Sequence, residues 1–473
     1  TSDRPVNPER RRLLKAAAAS GLSALASPAH AGRTVVNDVS RLNPVEVADA
    51  RRPRSTEEIR AALRAWPGAV SIGGGRYSMG GQIAEPGSLH LDMRGMKNVV
   101  FLDPARRVMR VQAGIRWRDI QDEIDPYDLS VKIMQSFSNF TVGGALSVNC
   151  HGRYVGRGPL VNSVRAVQLV TADAQVLELS RSREPELFRA VFGGYGGLGV
   201  VTEVELDLDA NARIERISQR VPLDDYPKFF RERVFADPKI VMHNADLIPP
   251  GFDRPVAISW RTTDKPVTEA QRLVPRGQRY ALDKDVIWAV TELPGGASVR
   301  KDVIDPSILR KPAVVWRNHE ASLDAAMLEP RTRSMSTYLL QEFFIPEENF
   351  LPFVRKIADI LTARRVNALN VSIRHSPVDT TSLLAWAPHD VFAFVLYYKQ
   401  RSTKAASAEV RAWTRELIEA ALENGGRYYL PYRLDATRDQ FRRAYPEATR
   451  FSALKARVDP DRRFRNLLWD AYL

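Results

Sequence analysis

The sequence predicts an α+β protein built from two domains, and three observations lead to this expectation. The chain has 473 residues, which is long for a single hydrophobic core. From Asn43 to Asn211, short apolar strands alternate with helical segments. Beyond Asn211 the loops lengthen, and Pro and Trp become more frequent. We therefore expect an N-terminal domain at 32–214, an α+β domain at 215–420 and a C-terminal segment at 421–473.

Patterning and cap residues predict the individual elements. Ser55 precedes Thr-Glu-Glu-Ile, so a capped helix begins there. The sequence does not allow us to place 215–335. The other predicted helices are 117–124, 184–192, 441–445 and 452–458, and the predicted strands are 69–72, 88–92, 107–112, 166–170, 176–179, 199–207, 338–345, 369–374 and 391–398.

Residues 1–31 are typical of an export signal. Residues 10–15 read Arg-Arg-Arg-Leu-Leu-Lys, a short apolar stretch follows at 16–26, and 27–31 form a small-x-small cleavage site. The paired arginines resemble a twin-arginine signal, which exports proteins already folded. The alternative is an amphipathic N-terminal helix. The expected location is therefore the periplasm or the exterior.

Composition excludes several classes of protein. The chain has 69 basic and 56 acidic side chains, a net charge of +13, which favours anionic partners or is spread over the surface. Because no Lys/Arg run with interleaved aromatics occurs, we expect no nucleic-acid partner. Cys150 is the one cysteine, so a disulfide framework and a multi-cysteine metal site are excluded, and no metal is expected. No apolar run reaches the roughly 18–20 residues of a membrane span.

Three Gly-rich segments carry the strongest signal for a ligand site. They lie at 71–82, 136–153 and 192–203, each beside a predicted strand. Glycine lets the backbone approach a ligand, and successive inward N–H groups bind pyrophosphate. The first segment is not a Rossmann fingerprint, because 78–87 holds three glycines and a proline where a helix must follow. A P-loop is absent too, since no Gly-Lys-Ser/Thr occurs. The alternatives are Gly-rich surface loops or backbone that lines one long ligand such as a dinucleotide.

The order of the motifs carries a family resemblance. Gly-Gly-Gly-Arg-Tyr-Ser, then Thr-Val-Gly-Gly-Ala and His-Gly, then Gly-Gly-Leu-Gly-Val-Val-Thr resembles the vanillyl-alcohol-oxidase (PCMH-type) flavoproteins. Within them the chain is similar to aldonolactone oxidases and decaprenylphosphoryl-ribose oxidases. The resemblance implies FAD as cofactor, an FAD-binding domain at 32–214, a substrate (cap) domain at 215–420 and a C-terminal segment that returns to the FAD domain.

The resemblance also implies which residues contact FAD. Many relatives carry a flavin-tethering His where Tyr77 stands, so we expect non-covalent FAD. The implied cofactor residues are Gly73, Gly74, Gly75, Arg76, Tyr77 and Ser78 at the pyrophosphate, Thr141, Val142, Gly143, Gly144 and Ser147 as a second wall, Asn149, Cys150, His151 and Gly152 along the flavin, and Gly199 and Val201 near adenosine.

The implied catalytic residues are Glu342, Arg374 and His151. Glu342 matches a polar pocket position, and Arg374 lies on a predicted strand with Ser372 where aldonolactone oxidases have Glu-x-Arg. The alternative for Arg374 is a solvent-facing strand residue. His151 is either a base or a buried histidine that holds the flavin loop. Tyr432 stands where ribose oxidases have lysine, and Lys399 is a pocket or a surface residue.

These expectations define a function. The resemblance implies an FAD-dependent oxidoreductase that moves hydride from a CH–OH group of a sugar, aldonolactone or polyol-like substrate to flavin N5. The electron acceptor is oxygen or a periplasmic quinone or cytochrome, and the bulk of Cys150 next to His151 favours the latter. The alternative is an exported binding protein on the same scaffold without turnover.

Overall fold

The computed structural model describes residues 34–249, 251–292, 311–330 and 332–473. The predicted signal at 1–31 lies outside the described residues. Mixed strands and helices confirm the predicted α+β class. Among the described residues, no helix is long and apolar enough to cross a bilayer.

The described strands between residues 34 and 210 form three sheets. A two-stranded sheet pairs β1 (Thr34–Val36) with β2 (Val45–Val47), and a parallel sheet has the order β3 (Asp49–Arg51), β5 (Leu89–Asp92), β4 (Val70–Gly73). The third sheet is antiparallel, and β8 (Leu129–Val131) pairs with the end of its central strand β11. Its order is β10 (Val176–Ser180), β9 (Val164–Val170), β11 (Val200–Ala210), β7 (Val108–Gln112), β6 (Val99–Asp103).

Strands after residue 212 form one eight-stranded antiparallel sheet. Residues 213–262, which the sequence left unplaced, supply three of its strands. Its order is β15 (Val314–Trp316), β12 (Arg213–Arg220), β14 (Val256–Thr262), β13 (Ile240–Leu247), β17 (Ala368–Ser376), β18 (Val391–Arg401), β16 (Ser336–Pro346), β19 (Arg427–Tyr428).

Helices cover the sheets. The Ser55 side chain accepts the Glu58 N–H, which confirms the predicted cap, and the predicted helix at 117–124 is confirmed at its bounds. The α-helices are α1 (Thr56–Ala65), α2 (Trp117–Ile124), α3 (Val142–Ser147), α4 (Pro185–Val191), α5 (Tyr226–Phe229), α6 (Ala281–Glu292), α7 (Arg317–Ala321), α8 (Phe350–Ala363), α9 (Lys404–Glu423), α10 (Arg438–Ala444), α11 (Ala448–Val458) and α12 (Leu467–Tyr472).

The C-terminal segment contacts the third Gly-rich segment. Lys455 Nζ donates to the Gly197 carbonyl at 2.8 Å, and Trp469 Nε1 donates to the Gly194 carbonyl at 3.0 Å. Asn466 contributes a third bond, to the Tyr195 carbonyl. The chain passes from the third sheet to the eight-stranded sheet between Ala210 and Arg213, close to the predicted boundary at 214. The division into domains stays a prediction.

Candidate functional site

One cavity joins the Gly-rich segments to the eight-stranded sheet. It holds about 1870 Å³ of unfilled space, its opening to solvent included. The predicted residues that line it are Gly74, Gly75, Arg76, Tyr77, Ser78, Thr141, Gly143, Gly144, Ser147, Cys150, His151, Gly199, Val201, Glu342 and Arg374.

Four predicted cofactor residues do not line this cavity, and one of them is the buried Val142. Asn149 is buried, and its Nδ2 donates to Asp379 and Ser382 at 3.0 and 2.8 Å, so it joins two loops. A side chain at Gly73 would meet the His90 ring at 2.7 Å, and one at Gly152 would overlap a backbone carbonyl. Asn149, Gly73 and Gly152 therefore pack against protein, and their contact with the ligand stays a prediction.

Thr141 joins the first two Gly-rich segments. It caps α3, and its Oγ1 accepts the N–H groups of Gly144 at 3.4 Å and Gly75 at 3.2 Å. A Cβ at Gly74 would overlap the same hydroxyl. The two segments thus approach so closely that only glycine fits at 74.

Arg76 lies at the turn of the first segment. Its φ of 63° is unusual for a residue with a side chain. Its guanidinium lies 3.3 Å from His90 Nε2 and 3.6 Å from Asp92. Burial lowers the pKa of His90 to about 4, so the imidazole is neutral beside the arginine.

Unpaired polar atoms indicate that the cavity is built for a polar ligand. Among the described residues, Ser78 Oγ, Ser136 Oγ and Arg76 Nε are buried without a hydrogen-bond partner, and all three residues line the cavity. Buried polar groups are normally paired, because an unpaired one costs about 1–3 kcal/mol. Hydroxyl and guanidinium donors beside glycine backbone suit a pyrophosphate, so these residues fit FAD.

At the sheet end of the cavity, three side chains form a hydrogen-bonded cluster. His151 Nε2 lies 2.5 Å from Glu342 Oε1, and both residues are buried. Tyr432 Oη donates to Glu342 Oε2 at 3.2 Å. Burial, reinforced by Glu342, raises the pKa of Tyr432 well above its usual range, so the phenol keeps its proton. The sequence separation of His151 and Glu342 is 191 residues, and the fold alone brings them together.

Arg374 brings a positive charge to the same end. It lies on β17, half-buried, and lines the cavity, so it is not the solvent-facing residue of the alternative reading. Burial lowers the pKa of its guanidinium, while the field of Glu342 opposes this effect. Within the described residues, its Nε has no hydrogen-bond partner. Ser372 of the same face does not line the cavity, and Lys399 is held by Glu292.

Tyr77 and Cys150 are both protonated. Burial and the charge of Glu329 raise the pKa of Tyr77 to about 12, and its ring lies 4.6 Å from that of Phe140. Burial also raises the pKa of the Cys150 thiol above its usual range. Neither side chain is a ready nucleophile, because the ionised form is the reactive one.

Sequence reasoning missed part of the cavity lining. Gln82 lies in the first Gly-rich segment, and its Nε2 donates to the Leu430 and Tyr432 carbonyls at 2.8 and 2.6 Å. Its place among the glycines was a usable signal. The other missed residues gave no usable signal, because the sequence does not show the strand register that brings them to the cavity. They include Leu328, Arg333, Tyr338, Leu340, Val395, Tyr397 and Tyr429.

Comparison with known proteins agrees with this geometry. A family described as FAD binding domain matches residues 48–180. The mitochondrial L-galactono-1,4-lactone dehydrogenase of Brassica oleracea is 36% identical over 127 residues, 26% of this chain and 21% of that protein. The alditol oxidase of a Streptomyces species is 29% identical over 165 residues, 34% of this chain and 39% of that protein. The decaprenylphosphoryl-beta-D-ribose oxidase of Mycolicibacterium smegmatis is 25% identical over 422 residues, 85% of this chain and 88% of that protein.

The chain therefore carries an FAD-binding domain of the PCMH type, and the predicted resemblance and the predicted cofactor are confirmed. Gly74 to His151 fall within the matched range, whereas Glu342 and Arg374 lie outside it. The match spans about a fifth of the lactone dehydrogenase and two fifths of the alditol oxidase.

Proposed function

We propose that this protein is an FAD-dependent oxidoreductase that oxidises a CH–OH group of a sugar, aldonolactone or polyol-like substrate. The observation that carries the proposal is the buried cluster of His151, Glu342 and Tyr432, which lies in the same cavity as the FAD-binding segments. The activities for which the relatives are named, on L-galactono-1,4-lactone, alditols and decaprenylphosphoryl-beta-D-ribose, support the reaction class.

Glu342 is the proposed acceptor of the substrate hydroxyl proton. Carboxylate oxygens each have two lone pairs, so each can accept a substrate hydrogen bond beside the one it already has. His151 Nε2 contacts Glu342 Oε1 at 2.5 Å, and His151 Nδ1 lies 3.3 Å from the Gly152 carbonyl, so the imidazole is held at both nitrogens. His151 orients Glu342, and Tyr432 fixes the other oxygen.

Arg374 is the proposed electrostatic partner of the reaction. When bound, FAD supplies the acceptor for the hydride of the carbinol carbon. A cation with an unpaired Nε at this end of the cavity stabilises the negative charge that develops as the hydroxyl loses its proton. The aldonolactone-type acid is missing at Ser372, and Glu342 on another strand lines the same cavity as the arginine. An acid and a cation in one cavity favour catalytic turnover over simple ligand binding.

A substrate screen tests the proposal. The purified FAD-loaded protein is mixed without oxygen with aldonolactones, alditols, aldoses and lipid-linked pentoses, and the visible flavin absorbance is recorded. We expect at least one class to bleach the flavin, and a dye acceptor to restore the colour. A yellow protein that no carbinol substrate bleaches contradicts the proposal and favours a binding protein.

We further propose that FAD is bound non-covalently and that the protein acts outside the cytoplasm. The protonated Tyr77 and Cys150 support the first point, and the signal-like residues 10–31 support the second. Acid precipitation is expected to leave the flavin in the supernatant. A fluorescent pellet would show a covalent bond. Fractionation of cells that express the full chain tests the location.

A further inference from the structure

The cavity wall beyond Glu342 is set by the register of two strands. Residues directly opposite in an antiparallel pair share one face of the sheet. On β16 and β18 the successive pairs on the cavity face are Glu342 with Val395, Leu340 with Tyr397, and Tyr338 with Lys399. Four residues of strand separate Glu342 from Tyr338, a distance of about 13 Å.

This wall is apolar along its length. Tyr338, Leu340, Val395 and Tyr397 line the cavity together with Leu328, and we name these five residues the apolar strip. Tyr338 and Tyr397 are nearly buried, and their ring centroids lie 5.7 Å apart. The side chains of the apolar strip therefore present ring carbons and methyl carbons to the cavity.

The polar atoms of the apolar strip are already bonded within the protein. Tyr397 Oη donates to the Leu328 carbonyl at 2.7 Å, and Tyr338 Oη lies 2.8 Å from Thr291 Oγ1 of α6. A substrate hydroxyl that lay against the strip would lose its hydrogen bonds to water without a replacement, which costs free energy.

The charged side chains near the apolar strip include Lys399, Arg333 and Glu329. Lys399 Nζ lies 5.3 Å from the Tyr338 ring and pairs with Glu292 at the end of the strip. Arg333 Nη1 donates a hydrogen bond to Thr337 Oγ1, and Thr337 projects from the opposite face of β16. Glu329, half-buried, is the acidic residue that lines this end of the cavity.

We propose that the substrate carries an apolar substituent, alkyl or aryl, which lies along the apolar strip while its CH–OH group lies at Glu342. All five strip residues are outside the 48–180 range that matches the FAD-binding domain, so the strip belongs to the substrate end. A free polyol is polar throughout and leaves this surface unused. The inference rests on the proposed function, because it takes Glu342 as the reacting end.

A series of straight-chain alcohols from propan-1-ol to octan-1-ol tests the apolar strip. Binding to the FAD-loaded protein is followed by perturbation of the flavin spectrum, without oxygen. We expect the Kd to fall with each added methylene, by up to about fourfold per methylene if it is fully buried. A Kd that does not depend on chain length overturns the proposal.

Two variants locate the effect on the apolar strip. Leu340→Asn places an amide at its middle and is expected to abolish the gain for the longer chains. Met335→Asn is the matched control, because Met335 is 72% exposed and precedes the same strand. Should Leu340→Asn fail to bind FAD, the isosteric Val395→Thr replaces it. A chain-length gain that persists in the strip variants overturns the proposal.

Turnover separates this inference from the proposed function. Length-dependent binding without flavin bleaching supports the apolar strip and contradicts the proposed function. Bleaching by sugars without length-dependent binding supports the proposed function and overturns the proposal that an apolar substituent lies along the strip.

Discussion

Two histidine–glutamate pairs lie at the eight-stranded sheet, and their surroundings differ. His151 and Glu342 lie 2.5 Å apart at the cavity, with Tyr432 as third partner. His375 and Glu347 lie 2.7 Å apart, and the His375 ring packs against Phe230 at 4.7 Å between centroids. Neither residue of the second pair lines the cavity.

The comparison teaches that a close pair of titratable groups does not make a reactive site by itself. Glu347 also binds Arg231 at the surface, so its charge is compensated there. Glu342 faces a cavity that contains Arg374 with an unpaired Nε. Access for a substrate and a nearby cation distinguish the first pair.

The largest expected effect tests the difference between the two pairs directly. Glu342→Gln removes the proposed proton acceptor, and kcat should fall by about 10²–10⁴, the usual contribution of a general base. Glu347→Gln is the matched control and should change kcat little. Flavin content, measured by absorbance, should stay near that of the parent in both. Equal losses in the two variants would assign both pairs a structural role.

The next effect concerns the Gly-rich end. In Gly74→Val the added carbons overlap Thr141 Oγ1, which joins the two segments that line the cavity. From the typical cost of overpacking, FAD affinity should fall by about tenfold to a hundredfold. Gly68→Val, at an exposed position away from the cavity, is the control. Flavin released on dilution measures the affinity, and full occupancy in Gly74→Val would remove this loop from the site.

A third prediction concerns the pH dependence of the free energy of unfolding. Burial lowers the pKa of His90 to about 4 and that of His243, which is also near His375, to about 3. Unfolded histidine has a pKa of about 6.5, so acid protonates the unfolded chain first. The stabilisation is complete above pH 6.5 and is lost as pH falls toward the folded pKa values.

This loss is measurable by urea unfolding. At about pH 5 each histidine should lower the free energy of unfolding by about 2 kcal/mol relative to pH 7. His243→Gln should reduce the pH dependence without changing its direction. Equal stability of the parent at both pH values would contradict the prediction.

The smallest expected effect concerns oxygen. Cys150 lines the cavity and is 1% exposed, so its sulfur fills space that glycine leaves open. Reoxidation of the substrate-reduced parent in air should be slow, and it should be several-fold faster in Cys150→Gly. The flavin band follows the rate. Equal rates would indicate that Cys150 only packs, and fast reoxidation of the parent would make the protein an oxidase.

Local signals allowed the N-terminal part of the fold to be predicted. Ser55 caps its helix through atoms three residues apart, and the three glycines and the proline within 78–87 exclude a helix there. Strand alternation also indicated that Arg374 shares a face with Ser372. Such features depend on neighbours in sequence, which a reader of the sequence can see.

The catalytic arrangement depends on contacts between distant residues. Glu342 reaches His151 across 191 residues, and Leu340 faces Tyr397 only through the register of β16 and β18. No spacing in the sequence encodes either contact. The motif likewise gave no sign that the Asn149 amide bonds to Asp379, 230 residues away.

The bonds from Lys455, Asn466 and Trp469 to the third Gly-rich segment have a consequence for biosynthesis. The ribosome makes residues 194–199 more than 250 residues before the groups that hold their carbonyls, as the separations of 258, 271 and 275 residues show. During translation that part of the cavity lacks its partners, and the nascent chain has no complete place for the cofactor. Flavin loading therefore follows synthesis of the C-terminal helices.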